Sequence, residues 1–290
     1  MIKTVPAILV LVALGLFLTA CDGLWDSVPL RSDGDVDTPS PDICEPADGA
    51  QLGHESLIAH AGGGYKKWTY TNSLEAMNNS YANGFRLIEI DLIETADSNF
   101  VGAHDWPQWF RQNELNRRSK VPTTSVFFEY PTKGGFTPVD YLMIQKWLVE
   151  RPDAILVTDK VENLEYLAAN TVDLDRLIIE VFGFNKYVEA LKLGLKKPML
   201  SIHDRSSLGS DSEILLFVDS WNTQYAAVSL DALVSREDLI QALIERKVCI
   251  YSYTSNSESE MNERHKEGVH GFYTDFYVPD HWTKTAASEQ

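Results

Sequence analysis

At 290 residues, with 44% apolar side chains, the chain is long enough for one large domain or two small ones around a sizeable core. Its formal charge is −17, and without the first twenty residues, which hold only one basic side chain, 24 basic residues face 42 acidic ones, a balance of −18. That balance argues against a nucleic-acid partner and against electrostatic adhesion of the whole chain to anionic lipid.

The first twenty residues read as a targeting segment outside the fold. Lys3 gives a short positive start, and 5–20 is an almost unbroken apolar run, short for a membrane span of about 20 residues. Its end, Leu18-Thr19-Ala20-Cys21, resembles a bacterial lipobox. The resemblance implies a lipoprotein signal peptide over 1–20 and a lipid on Cys21; a plain anchor helix is the alternative. A lipid there would hold the protein at a membrane of the bacterial cell envelope, facing the periplasm or the exterior. Residues 21–53 are rich in Asp, Ser, Pro and Gly and lack periodicity, so they read as a flexible tether. Cys44 lies in this tether and Cys249 in a distant apolar run. An exported compartment permits a Cys44–Cys249 disulfide, and two unrelated thiols are the equal alternative.

Beyond the tether the text alternates. Apolar, β-rich runs fall at 57–61, 87–92, 154–158, 177–181, 198–202, 226–230, 248–253 and 271–274. Helical patterns lie between them at 74–82, 138–150, 164–170, 186–193, 211–218, 236–246 and 258–267. Eight strands alternating with helices predict a parallel (β/α)8 TIM barrel over 54–280, with 281–290 as a C-terminal tail. An open doubly wound sheet is the structural alternative. One interval, 100–137, departs from the pattern and is too long for an ordinary strand–helix loop. This insertion after the second strand is aromatic-rich, from Trp106 and Trp109 to Tyr130. It is expected either as a lid or substrate wall over the mouth, with Trp106 a candidate substrate contact, or as an excursion packed on its own apolar cluster.

The chemistry gathers between residues 56 and 105. In the run 87–92, Leu87, Glu89 and Asp91 share one face of an extended strand, and Ile88, Ile90 and Leu92 share the other. Two carboxylates so close repel unless a cation sits between them. His60 closes the preceding run and His104 follows a short turn, so two histidines and two carboxylates converge at strand ends. This order, His60 with Gly62, then Asn72-Ser73, Glu89-Ile90-Asp91 and His104-Asp105, resembles the glycerophosphodiester phosphodiesterase family. The likeness continues through Thr158-Asp159-Lys160, Gly268-Val269-His270-Gly271 and Thr274-Asp275.

The resemblance implies a metal-dependent phosphodiesterase acting on glycerophosphodiesters or related phospho-linked envelope polymers. His60 and His104 would be the acid–base pair, and Glu89 and Asp91 would hold a divalent ion, Mg²⁺ or Ca²⁺. A phosphodiester needs this set: a base for the nucleophile, an acid for the leaving alkoxide, and positive charge on the non-bridging oxygens. Lys160 and Asn72 are candidate phosphate contacts.

The sequence departs from the family pattern at three places. Ala61 stands where an Arg usually follows the first histidine. Thr71 replaces the Glu of an Glu-Asn-Thr motif, and Thr158 replaces a Glu that supplies a third metal ligand. Strand alternation then puts Thr158 and Lys160 on one face and turns Asp159 away. Glu180, an unexplained charge near the end of an apolar run, becomes the candidate third ligand, with a salt bridge to a helix as the alternative. Lys66, in the loop after His60, is a candidate substitute for the missing Arg. Thr274 and Asp275 read as structural residues closing the barrel. A lyase on the same barrel, releasing a cyclic phosphate, and a non-catalytic lipid-anchored binding protein are the competing functions.

Overall fold

All eight runs become strands. In a computed structural model describing residues 28–31, 51–116, 120–203 and 208–282, they are β1 (Leu57–Ala59), β2 (Leu87–Glu94), β4 (Ile155–Asp159), β5 (Leu177–Val181), β6 (Lys197–Ile202), β7 (Tyr225–Ser229), β8 (Cys249–Tyr253) and β9 (Gly271–Thr274). A short β3 (Phe100–Gly102) folds back antiparallel on the end of β2. The other eight pair in parallel, and β1 bonds both β2 and β9, so the sheet closes. The fold is the (β/α)8 barrel, and the open sheet is excluded. The signal-peptide segment, Cys21 and Cys44 lie outside the described residues.

Alternation divides each strand between two cores. Ile58, Leu87, Val157, Ile178, Met199 and Tyr273 fill the barrel interior. Ile88, Ile90 and Leu92 pack outward under the helices, in a second and larger core. The interior is therefore plugged by side chains, and a ligand has access only at its ends.

Helix starts follow local capping. Ser73 precedes the helix Leu74–Ala82 and accepts from the Ala76 N–H at 3.3 Å. Asp140 does the same for Tyr141–Val149, accepting from the Met143 N–H at 2.8 Å. Ser210 and Glu213 form a reciprocal capping box before Asp211–Trp221. The expected helix over 236–246 is preceded by another, so this stretch holds Leu230–Ser235 and Glu237–Glu245.

The insertion is a packed excursion. Ile93, Val101, Trp109, Phe110 and Phe127 bury one another in a cluster of their own, beneath the short helices Trp106–Gln112 and Thr124–Phe127. Val28–Arg31, within the expected tether, rests on the barrel: Val28 packs against the outer core, and the Trp221 indole N–H donates to the Pro29 carbonyl at 2.6 Å. Cys249 is disulfide-bonded, which removes the free-thiol alternative for it. Among the described residues no helix is long and apolar enough to cross a membrane.

Candidate active site

The carboxyl ends of the strands surround a cavity of about 400 Å³. His60, Glu89, Asp91, His104, Asp159, Lys160 and Glu180 line it, together with Tyr70, Phe182, His203, Tyr253, Thr254 and Tyr273. Six of the sequence-derived candidates therefore meet in one place, at the end where barrel enzymes carry their chemistry.

His60 sits in a tight turn directly after β1. The backbone turns through positive φ at Ala61, Gly62 and Gly63, and a Cβ on Gly63 would lie 2.1 Å from the Ser80 hydroxyl. The turn aims the Ala61 N–H at Glu89 Oε2, 2.5 Å away. The position expected to carry Arg thus serves the carboxylate side of the site through its backbone. Since a carboxylate only accepts, His60 Nδ1–H donates to Asp275 Oδ1 at 3.1 Å. His104 Nδ1–H likewise donates to Asp105 Oδ2 at 2.6 Å, and Asp105 also caps the next helix through the Gln108 N–H. The Tyr70 ring lies between the two imidazoles, edge-on to each, at 4.3 Å from His60 and 5.8 Å from His104. Asp275, read from sequence as structural, is the partner that orients His60; Thr274 is structural, fully buried and opposite Ala59 in β1.

Asp159 requires a correction. The register between β2 and β4 places Asp91 opposite Asp159 and Glu89 opposite Val157. Val157 belongs to the barrel interior, so Asp159 points inward with Asp91. Thr158 is the residue turned out, its hydroxyl donating to the Ile90 carbonyl at 2.7 Å. Lys160 then adopts positive φ, 58°, which breaks the alternation and swings its ammonium back between Asp91 and Asp159. It bonds Asp159 Oδ2 at 2.6 Å and also pairs with Asp91.

Glu89, Asp91 and Asp159 each offer an oxygen within 4.8 Å of the others. That is the span of two oxygen–metal bonds to a hard divalent cation. Glu180, the expected third ligand, lines the same cavity but accepts from the Tyr273 hydroxyl at 3.1 Å; it is not one of this trio.

The electrostatics also fit a cation at this position. Burial, then the charges of Asp91 and Asp159, push Glu89 well above the usual carboxylate range. Burial and the Asp91 charge do the same to Asp159, whose Oδ1 is buried with no hydrogen-bond partner. Burial would raise Asp91 too, but the Lys160 ammonium, with hydrogen bonds from Lys160 and Asn72, holds it low. Burial would lower Lys160, but Asp159 and Asp91 hold it above the usual lysine range. Three carboxylates and one ammonium leave a formal balance of −2, which a divalent ion would neutralise.

Three candidates fall elsewhere. Asn72 spends both ends of its amide on Asp91: its Nδ2 donates to Oδ2 at 2.8 Å, and its Oδ1 accepts from the Asp91 N–H at 3.0 Å. It orients a carboxylate and does not line the cavity. Lys66 lies over the Tyr65 and Phe136 rings, outside the cavity wall. Trp106 donates to the Glu94 carbonyl at 3.1 Å and packs inside the insertion. Sequence reasoning missed Phe182, His203 and Tyr253. His203 Nδ1 and the Tyr253 hydroxyl lie 2.8 Å apart. Tyr253 was findable, because it continues the inward face of Tyr251 by alternation.

No protein-family model and no curated protein matches the chain. Solved structures do. A glycerophosphodiester phosphodiesterase from Parabacteroides distasonis superposes with a TM-score of 0.61 at 17% identity, covering 81% of this chain and 97% of that one. One from Thermotoga maritima gives 0.61 at 18%, with the same coverages of 81% and 97%. A phosphodiesterase from Oleispira antarctica, solved with the product sn-glycerol-3-phosphate, gives 0.58 at 15%, again over 81% and 97%. At these identities the likeness is one of fold: the chain has the barrel on which glycerophosphodiester phosphodiesterases are built.

Proposed function

We propose that the chain is a metal-dependent phosphodiesterase that hydrolyses glycerophosphodiester-type or related envelope phosphodiester bonds. The observation that carries this reading is the meeting of Glu89, Asp91, Asp159 and Lys160 with two carboxylate-held histidines in one cavity. The structural relatives named for this activity, one holding sn-glycerol-3-phosphate, support it.

Each histidine gives Nδ1–H to its aspartate, which leaves Nε2 for the substrate. One imidazole takes the proton of the attacking nucleophile, and the other returns a proton to the departing alkoxide. Asp275 and Asp105 fix the ring orientations and stabilise whichever imidazole is charged. Tyr70, wedged between the rings, sets the spacing within which a phosphorus centre must fit. Lys160 supplies one fixed positive charge beside the phosphate oxygens, and Asn72 keeps Asp91 from rotating away. Mg²⁺ or Ca²⁺ held by Glu89, Asp91 and Asp159 would supply further charge stabilisation of the phosphoryl oxygens.

The test is turnover of a panel of phosphodiesters by the purified protein, with and without each divalent ion, beside His60→Ala. Ion-dependent release of a linear phosphomonoester that His60→Ala abolishes is the expected result. A cyclic phosphate product would move the chain to the lyase alternative, and no turnover with any ion would leave only the binding-protein alternative. The lipobox-like Leu18-Thr19-Ala20-Cys21 supports a lipid anchor at the cell envelope, with the barrel facing the periplasm or exterior. Cys21→Ser should then release the protein from membranes while leaving its activity intact.

A further inference from the structure

Two segments, the loop 60–70 that runs from His60 to Tyr70 and the insertion 100–137 that carries His104, are basic in sequence although the chain is acidic. Residues 60–70 and 100–137 together contain seven basic and three acidic residues; the remainder of the chain contains 18 basic against 39 acidic. Part of this basic charge is built into a defined structure.

Tyr65 and Trp68 exchange two backbone hydrogen bonds, each 3.0 Å, across a tight turn whose tip is Lys66-Lys67. The Thr132 N–H donates to the Phe136 carbonyl, and the Gly135 N–H to the Thr132 carbonyl, each at 2.9 Å, across a turn holding Lys133. The two tips pack together. The Tyr65 and Phe136 rings meet edge-on at 5.1 Å, and a Cβ on Gly134 would lie 2.9 Å from the Trp68 ring.

The ammonium groups are held over this aromatic platform. Lys66 sits 5.3 Å from Tyr65, Lys67 5.3 Å from Trp68, and Lys133 5.9 Å from Trp68. Lys133 also donates to the Thr69 carbonyl at 3.2 Å, one residue from the Tyr70 that wedges the two histidines. None of the three lysines pairs with a carboxylate among the described residues. Three cations with no carboxylate partner among the described residues, on one aromatic support near Tyr70 of the cavity wall, offer positive charge to an anion outside the cavity.

We propose that the paired turns hold a second phosphate group of the substrate, so that the enzyme favours phosphodiesters whose alcohol itself carries a further phosphate. The proposal rests on the phosphodiesterase reading above, because it extends the same substrate. A second charge would also account for the lysines' place outside the cavity: the scissile phosphate would meet Lys160 and an ion held by the carboxylates, and a phosphate further along the molecule would reach only the rim. The same chemistry could come from the head groups of an anionic bilayer, and that source is an arm of the test.

The test compares glycerophosphoglycerol with bis(glycerophospho)glycerol, two substrates that differ by one glycerophosphate unit, using the full-length chain carrying Cys21→Ser. The wild-type rim should favour the second substrate in kcat/KM. In Lys67→Gln/Lys133→Gln that preference should fall by about fivefold, within the range of two exposed ion pairs, with kcat and the rate on glycerophosphoglycerol unchanged. In 1 M salt, where the Debye length is about 3 Å, the preference should vanish. Equal rates on both substrates in the wild type, or equal losses in the variant, overturn the proposal. So does a variant that keeps the preference but loses binding to phosphatidylglycerol vesicles. If neither substrate is cleaved, the phosphodiesterase reading fails separately, and calorimetric binding of bis(glycerophospho)glycerol decides the rim. Binding weakened in the variant supports it, and equal binding ends it.

Discussion

The mouth of the barrel divides into two unlike arcs. From β1 to β4 and the turn after β3 it carries His60, Glu89, Asp91, His104, Asp159 and Lys160, each buttressed by a second residue such as Asp275, Asp105 or Asn72. From β5 to β8 it carries Phe182, His203 and Tyr253, with one buried carboxylate, Glu180, tied to Tyr273. The first arc concentrates charge that has no structural use, and burying it has a cost. The second presents aromatic surface with little charge, the composition of a wall that shapes a ligand. On the proposed function, the difference separates the chemistry from the fit.

The largest expected effects lie in the first arc. His60→Ala or His104→Ala should lower turnover by about 10³-fold, the scale of losing an acid–base group. Glu89→Ala, Asp91→Ala and Asp159→Ala should each cost at least about 10²-fold, with folding intact because repulsion is relieved as each carboxylate is lost. Circular dichroism and turnover on one substrate would check both halves of this. Full activity in Asp159→Ala together with a dead Glu180→Gln would return the third ligand to Glu180. Removing divalent ions with a chelator should match the carboxylate variants.

The base of the barrel tests whether the arcs can be separated from stability. His270, buried before β9, is pushed down to about 4, chiefly by burial, and its Nε2 has no hydrogen-bond partner. A depressed histidine contributes stability that is present above its unfolded value near 6.5 and lost as pH falls towards 4. The full loss is about 3 kcal/mol. Chemical unfolding across that window should show the slope, and His270→Phe should flatten it without changing turnover at pH 8. An unchanged slope would place the acid sensitivity elsewhere.

In the second arc, Phe182→Ala should raise KM by about tenfold, the worth of one partly buried aromatic ring, and leave kcat within about threefold. A fall in kcat as deep as that of the carboxylate variants would break the division between chemistry and fit. The smallest effect is the cap: Ser73→Ala should cost about 1 kcal/mol of stability and leave turnover unchanged.

Much of this protein is legible along the chain because its signals are local. Alternation fixes the faces of β2, so Glu89 and Asp91 point inward and Ile88 and Ile90 outward wherever the strand lies. Helix Leu74–Ala82 follows from Ser73 and its apolar spacing, and the succession of strands and helices predicts a closed parallel barrel. Other features exist only once strands are neighbours. Asp159 joins the carboxylates because the β2–β4 register sets it opposite Asp91. Lys160 returns to the same site because its backbone takes positive φ, which no residue pattern announced. Asp275 reaches His60 across 215 positions of sequence. Trp106 looks like a ligand contact in the text, yet it turns into the insertion, where burying its ring beside Trp109 and Phe110 is worth more than exposure at the mouth. Period and capping act over a few residues and can be read from them. Register, strand-end bends and the competition of one apolar cluster with another are settled by the whole sheet, and only the tertiary structure decides them.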